Sequence, residues 1–425
     1  MSLAVRNQNI RSVTVLLASN AADKFFGFFR ELVVAYIFGS SILYAGYLYL
    51  AVFVDAFMAF TGDSALQANL VPRFAKIFSK NPDISLHKTK KYALRFALIF
   101  SLLNFILLIF YIFLKGTVPF WLILSFILSI TVGAFIFNSI GMMLLQAKGH
   151  FSSYAKGALL NSSLAAILIY PFSFFFGIIG LALSRFVSIA SIYFIAWKKI
   201  GNKNTIKDSP VLTYKDFDLT TLSAANFYVI ILLFSKLILS FHTDPVITHF
   251  TYATIILGIL ITSIVKSISS VLLREVSINF NKKMITISVA AVIILSAGFG
   301  IALYLWNTQI ISFIFQRGAF NSNDVEETGR ILEILIIPFM IQSITMILIQ
   351  PVLSTDNQIK KIFKRVVTFL FVFIITGFFV ASFMAIGSAF NIAILMIYVL
   401  SGLIFIAGFI AFVSTYKNVK KGSIY

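Results

Sequence analysis

The chain has 425 residues, 60% of them hydrophobic and 12% charged, with 48 Phe, no Cys and a formal net charge of +19. Average soluble domains carry about 25% charged residues, so this composition excludes a water-soluble globule. The lack of Cys excludes disulfides and thiolate chemistry. With so apolar a chain and no separate basic domain, the positive charge does not imply nucleic acid as a partner.

In chain order, apolar stretches near 20 residues recur from end to end, long enough to cross a hydrocarbon core of about 30 Å. They predict twelve helices, at 12–38, 42–72, 91–114, 119–146, 154–175, 177–198, 218–241, 247–273, 284–305, 325–353, 364–384 and 388–415. The first is interrupted by Asp23 and Lys24 and reads as a span rather than a cleavable leader. The fold class is therefore an all-α polytopic membrane protein.

Lys and Arg set the orientation. With the N-terminus inside, 26 of the 34 cations fall in cytoplasmic segments and only Lys115, Arg317 and Arg330 fall outside. This predicts both termini on the cytoplasmic side. The chain also resembles itself about 200 residues apart. Val71-Pro72-Arg73 with Ile77 parallels Leu272-Leu273-Arg274 with Ile278, and Gln146-Ala147-Lys148-Gly149 parallels Ser354-Thr355-Asp356-Asn357. Two six-helix lobes follow, 1–200 and 218–425, joined by a basic cytoplasmic linker at 201–217. Six is even, so the lobes share one orientation about an axis along the membrane normal, with a central cavity for cargo between them.

Five cations remain inside predicted spans: Lys24, Arg30, Arg185, Lys236 and Lys266. Each costs at least about 2.5 kcal/mol on insertion scales, so such groups face protein or a water-filled cavity. Lys24 and Arg30 are six apart, about 600° of helical rotation, and line one broad wall. Gly27 between them allows close helix packing or access by a bulky head group. Arg30 suits paired phosphate oxygens, whereas Lys24 acts as a point charge. The other reading is internal pairing, of Asp23 with a nearby cation and of Arg30 with Glu31 or another helix. Neighbours in sequence do not face each other on a helix, which argues against Arg30 pairing with Glu31.

Asp55 and Asp63 stand eight apart, about 800° of rotation, and share a face. They read as counter-charges for Lys24 and Arg30, as gating or protonation groups, or as structural partners. Arg185 is placed either in the cavity or snorkelling. Lys236, near an outer span end, is placed snorkelling. Lys266 lies among Ser263, Ser267, Ser269 and Ser270, a polar lumen face. The four His residues (His87, His150, His242, His249) lack metal-ligand spacing, and no nucleotide loop occurs, so the expectation is a carrier with no metal and no cofactor rather than an enzyme. Coupling then falls to an ion gradient or the membrane potential. The many Phe residues read as lipid-facing bulk.

Lys24-x-x-Gly27-x-x-Arg30-Glu31 followed by Ile37-Phe38-Gly39 resembles the opening helix of the MviN/MurJ family of lipid II flippases. Gly62-Asp63-Ser64-Ala65 with Val71-Pro72, Phe315-Gln316-Arg317-Gly318-Ala319-Phe320 leading to Asp324, and Leu353-Ser354-Thr355-Asp356 are similar to further segments of that family. The family belongs to the multidrug/oligosaccharidyl-lipid/polysaccharide exporter superfamily. The resemblance implies two lobes around a cationic cavity and alternating access. The implied cargo is an undecaprenyl-diphosphate-linked saccharide, moved from the inner to the outer leaflet of a bacterial inner membrane.

Arg30 carries over directly, and Lys24 stands for an arginine. The family's paired span-two arginines align with Met58 and Ala59, its span-eight arginine aligns with Ile255, and its fourteen spans compare with twelve here. Twelve spans fit superfamily members that move O-antigen or capsule repeat units, whereas the signature segments fit lipid II. The expected diphosphate-binding residues are Arg30, Lys24, Arg185 and Lys266, with Asp23, Glu31, Asp55 and Asp63 as gating or counter-charges and Gly27 as a packing position. Expected partners are the lipid-linked sugar, membrane lipids and cell-envelope polymerases, with the chain a monomer. The alternatives are a cation-coupled multidrug exporter of the same superfamily and a non-transport cell-envelope scaffold.

Overall fold

The computed structural model describes residues 22–61, 65–80, 84–115, 120–200, 220, 223–224, 226–240, 245–265, 268–269, 272, 276, 282–354, 358–384 and 388–418. Among these residues all regular structure is helical. Helix α1 covers 22–38. It is followed by α2 (Ile42–Thr61), α3 (Ala65–Lys80), α4 (His87–Lys115), α5 (Phe120–Ala147) and α6 (Phe151–Ile200). Next come α7 (Phe227–Leu239) and α8 (Val246–Ile259), the latter continued by a π-helical turn, Leu260–Val265. The chain completes α9 (Lys282–Phe315), α10 (Ser322–Ser354), α11 (Gln358–Phe383) and α12 (Ala389–Asn418). Eight of these helices are long and apolar enough to cross a membrane, and α7 and α8 are shorter apolar helices.

Several boundaries depart from the sequence reading. The second predicted span is described as two helices, α2 and α3. Spans five and six form one helical run, broken at Gly177 (φ 55°, ψ −132°). The break closes tightly because Gly180 has no side chain: a Cβ there would lie 1.8 Å from the Phe172 carbonyl oxygen. The described part of span seven is α7 from Phe227, and Thr220, Ser223 and Ala224 before it are helical as well. Span nine continues past 305 to Phe315, with a non-helical backbone at Trp306 (φ −126°, ψ 27°).

The chain divides into two compact units. The first contains residues up to Ile37 and resumes at Gly46, and the second contains Phe38–Ala45 and the described residues after Leu219. In the first unit α5 packs on α3, α4 and α6. Lipid tails are as apolar as Leu, so small residues and interhelical hydrogen bonds hold spans together. Ser101 donates to the Ser129 carbonyl (2.8 Å) and Asn104 to the Ser129 hydroxyl (3.1 Å), joining α4 to α5. Asn138 donates to the Ile189 carbonyl (2.8 Å) and the Trp197 indole to the Phe137 carbonyl (3.2 Å), joining α5 to α6. The Trp197 ring also stacks on Phe137 at 4.7 Å, over the gap left by Gly141.

In the second unit α10 is the central element, packed on α8, α9 and α12. Gln342 donates to the Ser401 hydroxyl (2.7 Å) and Tyr398 to the Ile334 carbonyl (2.7 Å), tying α10 to α12. Val265, Leu272, Val276, Ile285, Val292 and Ile347 form a fully apolar cluster in this unit. Phe residues serve both environments: Phe113, Phe175 and Phe313 are strongly exposed, whereas Phe227, Phe250, Phe315 and Phe320 are buried.

Candidate functional site

The first unit brings α1, α2 and α6 together around two arginines. On α1, the Arg30 Nε donates to Glu31 Oε1 at 3.1 Å, and its terminal nitrogen bonds the same oxygen. On α6, the Arg185 guanidinium donates to Asp55 Oδ1 of α2 and lies 3.2 Å from Met58 Sδ. Tyr47 of α2 hydrogen-bonds Arg185 as well, and Arg185 stands close enough to Arg30 to repel it. Two cations and two carboxylates thus share one region, with Tyr47 buried beside them.

The electrostatics of this cluster are balanced rather than cationic. A charge in a low-dielectric setting needs a partner, and removing one member of such a pair leaves the other uncompensated. Both pairs keep an open side. The Arg30 side chain is 40% exposed and Glu31 16%, while Arg185 is 21% exposed and Asp55 38%. Each pair therefore presents one polar group outward, a guanidinium from α1 and a carboxylate from α2.

These contacts revise the sequence reading at several residues. Arg30 does pair with Glu31, because the long arginine stem folds back along α1 and overcomes the divergence of consecutive side chains. Asp55 is the counter-charge of Arg185, not of Lys24 or Arg30. Arg185 is paired, with Asp55. Among the described residues nothing stands within 4 Å of where a Gly27 Cβ would be. Lys24 is exposed and Asp23 half-buried on α1. Lys236 is half-buried in the last turn of α7. Asp63, Lys266 and His242 lie outside the described residues.

The second unit holds a polar and aromatic cluster that the sequence reading did not assemble. Gly39 ends α1 with a left-handed backbone (φ 51°) and packs on the Ala319 carbonyl, 2.4 Å from where a Cβ would stand. Its own carbonyl accepts a hydrogen bond from the Tyr252 hydroxyl at 3.2 Å. Ser40 donates to Asp324 Oδ1, while Asp324 Oδ2 accepts from the Asn321 backbone N–H at 2.9 Å. Asn321 Oδ1 in turn accepts from the Asp324 N–H at 3.2 Å, a reciprocal cap that starts α10. Tyr252, Phe315 and Phe320 meet at centroid distances of 5.0–5.8 Å. The Phe315–Phe320 segment is thus the seat for the turn between α1 and α2. Its sequence signal was the motif itself, which carried no indication of its partner. Among the described residues no group of three or more His, Cys, Asp or Glu could hold a metal.

Neither a protein-family profile nor any curated protein matches the chain. Solved structures do. A structure described as the lipid II flippase MurJ in an inward closed conformation is 19% identical, covers 95% of this chain and 87% of its own, and gives a TM-score of 0.69. A multidrug resistance MATE family transporter of the MOP superfamily matches in an outward-facing conformation at 14% identity. Coverage is 98% of this chain and 97% of that one, with a TM-score of 0.61. An inward-facing MATE structure matches at 15% identity, 96% of both chains and a TM-score of 0.61. These neighbours are a flippase and transporters rather than enzymes. The chain is a multi-pass membrane protein with the fold shared by MurJ and the MATE transporters of the MOP superfamily.

Proposed function

We propose that the chain is a flippase. It moves an undecaprenyl-diphosphate-linked saccharide, lipid II or an O-antigen or capsule repeat unit, from the inner to the outer leaflet of a bacterial cytoplasmic membrane. The observation that carries this reading is the pair of arginines, Arg30 and Arg185, held by separate helices within electrostatic reach of one another. Two guanidiniums suit the several oxygens of a diphosphate, because each offers planar, paired donors. Lys24, exposed on the same helix as Arg30, adds a point charge. Gly27 leaves open space between them for a head group.

Arg185 also addresses a departure from the resembled flippases. They carry an arginine at the position of Met58, and here the Arg185 guanidinium reaches the Met58 sulfur. The α6 arginine takes over, in this reading, the charge that α2 lacks. Alternating access moves the cargo, an ion gradient or the membrane potential drives the cycle, and both termini are cytoplasmic.

The balanced charge of the cluster favours a second reading, a cation-coupled multidrug exporter, since the open group on α2 is the carboxylate of Asp55. Complementation separates the two. Expression in strains depleted of their lipid II or O-antigen flippase rescues one of them under the flippase reading, and Arg30→Ala abolishes rescue. Failure in both at normal expression, with extrusion of cationic dyes instead, establishes the exporter.

A further inference from the structure

We infer that Asp55 is an internal competitor of the cargo's anionic group for Arg185, and so controls how readily cargo leaves. This rests on the reading of Arg30 and Arg185 as anion-binding groups. The two ion pairs of the cluster differ in construction. Arg30 and Glu31 are consecutive on α1, so any movement of that helix carries both. Asp55 and Arg185 belong to α2 and α6 and are 130 residues apart in sequence, so a shift between those helices parts them.

Exposure identifies which member yields. Asp55 keeps 38% of its side chain open against 21% for Arg185, so the carboxylate is the more accessible member of the pair. The remaining contacts of Arg185 among the described residues cannot replace it. The Met58 thioether is a weak acceptor, and Tyr47 is neutral as a hydrogen-bonding partner. A guanidinium parted from Asp55 therefore requires another anion in its place. An incoming phosphate oxygen supplies it and displaces the carboxylate, and on release Asp55 returns. The guanidinium is compensated in the empty and the loaded carrier alike. Asp55 thereby weakens the grip on cargo while making release possible.

The test measures binding and release of undecaprenyl diphosphate by the full chain in lipid nanodiscs. Asp55→Asn removes the competing charge and keeps the shape. It is expected to bind about tenfold tighter than wild type, the scale of one charged hydrogen bond, and to release correspondingly more slowly. Asp55→Ser carries the same expectation should the amide not fold, and Asp55→Glu, which restores the charge, is expected to return the wild-type affinity. Equal or weaker binding by folded Asp55→Asn or Asp55→Ser overturns the competitor role. If Arg30→Ala and Arg185→Ala lose binding in that same experiment, the functional reading survives without it. If both arginine variants bind as wild type does, the functional reading and the competitor role fall together.

Discussion

The Tyr252 hydroxyl donates to the Gly39 carbonyl across 3.2 Å, and this bond joins α8 to the turn that links α1 and α2. The turn belongs to the second compact unit together with Phe38 and the first residues of α2, Ile42–Ala45. Its acceptor is fixed by backbone geometry. Gly39 adopts φ 51° at the end of α1, a conformation that costs residues with a Cβ, and the Ala319 carbonyl fills the space where that Cβ would be.

Gly39→Ala therefore meets strain and a backbone clash together. A loss of about 1–3 kcal/mol is expected, the range for residues held in sparsely populated conformations. Thermal unfolding of the purified protein in detergent is the measurement, and an unchanged midpoint counts against the described turn. Tyr252→Phe keeps the ring against Phe315 and Phe320 and removes the hydroxyl alone. Its expected cost is about 0.5–1.5 kcal/mol, smaller than that of Gly39→Ala.

Ser40 and Asp324 provide an independent check on the same turn. Asp324 accepts from the Ser40 hydroxyl through one oxygen and from the Asn321 N–H through the other. A double-mutant cycle with Ser40→Ala and Asp324→Ala is expected to show a coupling of about 0.5–3 kcal/mol, the range for groups in one hydrogen-bond network. Asp324→Ala alone costs more than Ser40→Ala, because it also removes the cap of α10. Additive single variants would place Ser40 outside the network.

The junction of α5 and α6 yields a packing prediction. A Cβ on Gly141 would stand 2.9 Å from the Trp197 ring, which is held by the Phe137 carbonyl and stacked on the Phe137 ring. Gly141→Ala is expected to destabilise by about 1–3 kcal/mol, as overpacked cores do. Gly27→Ala, inside helix α1 with nothing described within 4 Å of the new Cβ, is expected to leave the unfolding midpoint unchanged or slightly raised. The contrast between the two glycines, read by the same unfolding measurement, checks the packing of α1 and α5 together.

Much of the helical content was legible from hydropathy alone, because a span must satisfy its backbone internally and must be apolar for about 20 residues. The break at Gly177 lies beside the predicted boundary between spans five and six, yet the single helical run across it left no mark in composition. Hydropathy also does not report where a helix loses regularity, so the extension of α9 beyond Trp306 escaped it. For the candidate site, rarity of charge inside spans pointed to Arg30, Asp55 and Arg185 as special. Their pairing was not legible. Helical spacing relates residues of one helix, whereas Asp55 meets Arg185 across two, and the fold of the Arg30 stem onto Glu31 depends on rotamer rather than position. Tyr47 carried no signal at all, since a tyrosine in an apolar helix is unremarkable until a guanidinium stands beside it.

Arg30→Lys tests the proposed function while keeping a charged partner for Glu31. Arg30→Lys keeps the charge and loses the planar fork, so its flipping rate is expected to fall between those of wild type and Arg30→Ala. Rates for Arg30→Lys equal to wild type would show that charge alone is used. Complementation at matched expression gives the same ordering in cells.

The central claim, that Arg30 and Arg185 carry a lipid-linked diphosphate across the membrane, is tested most directly in proteoliposomes. The measurement is the rate at which an undecaprenyl-diphosphate-linked saccharide becomes accessible on the opposite leaflet, for wild type, Arg30→Ala, Arg185→Ala and the double variant. The account predicts that wild type exceeds protein-free liposomes, that each single variant is slowed, and that the double variant falls to the protein-free rate. A double variant as fast as wild type, or wild type no faster than protein-free liposomes, would contradict it.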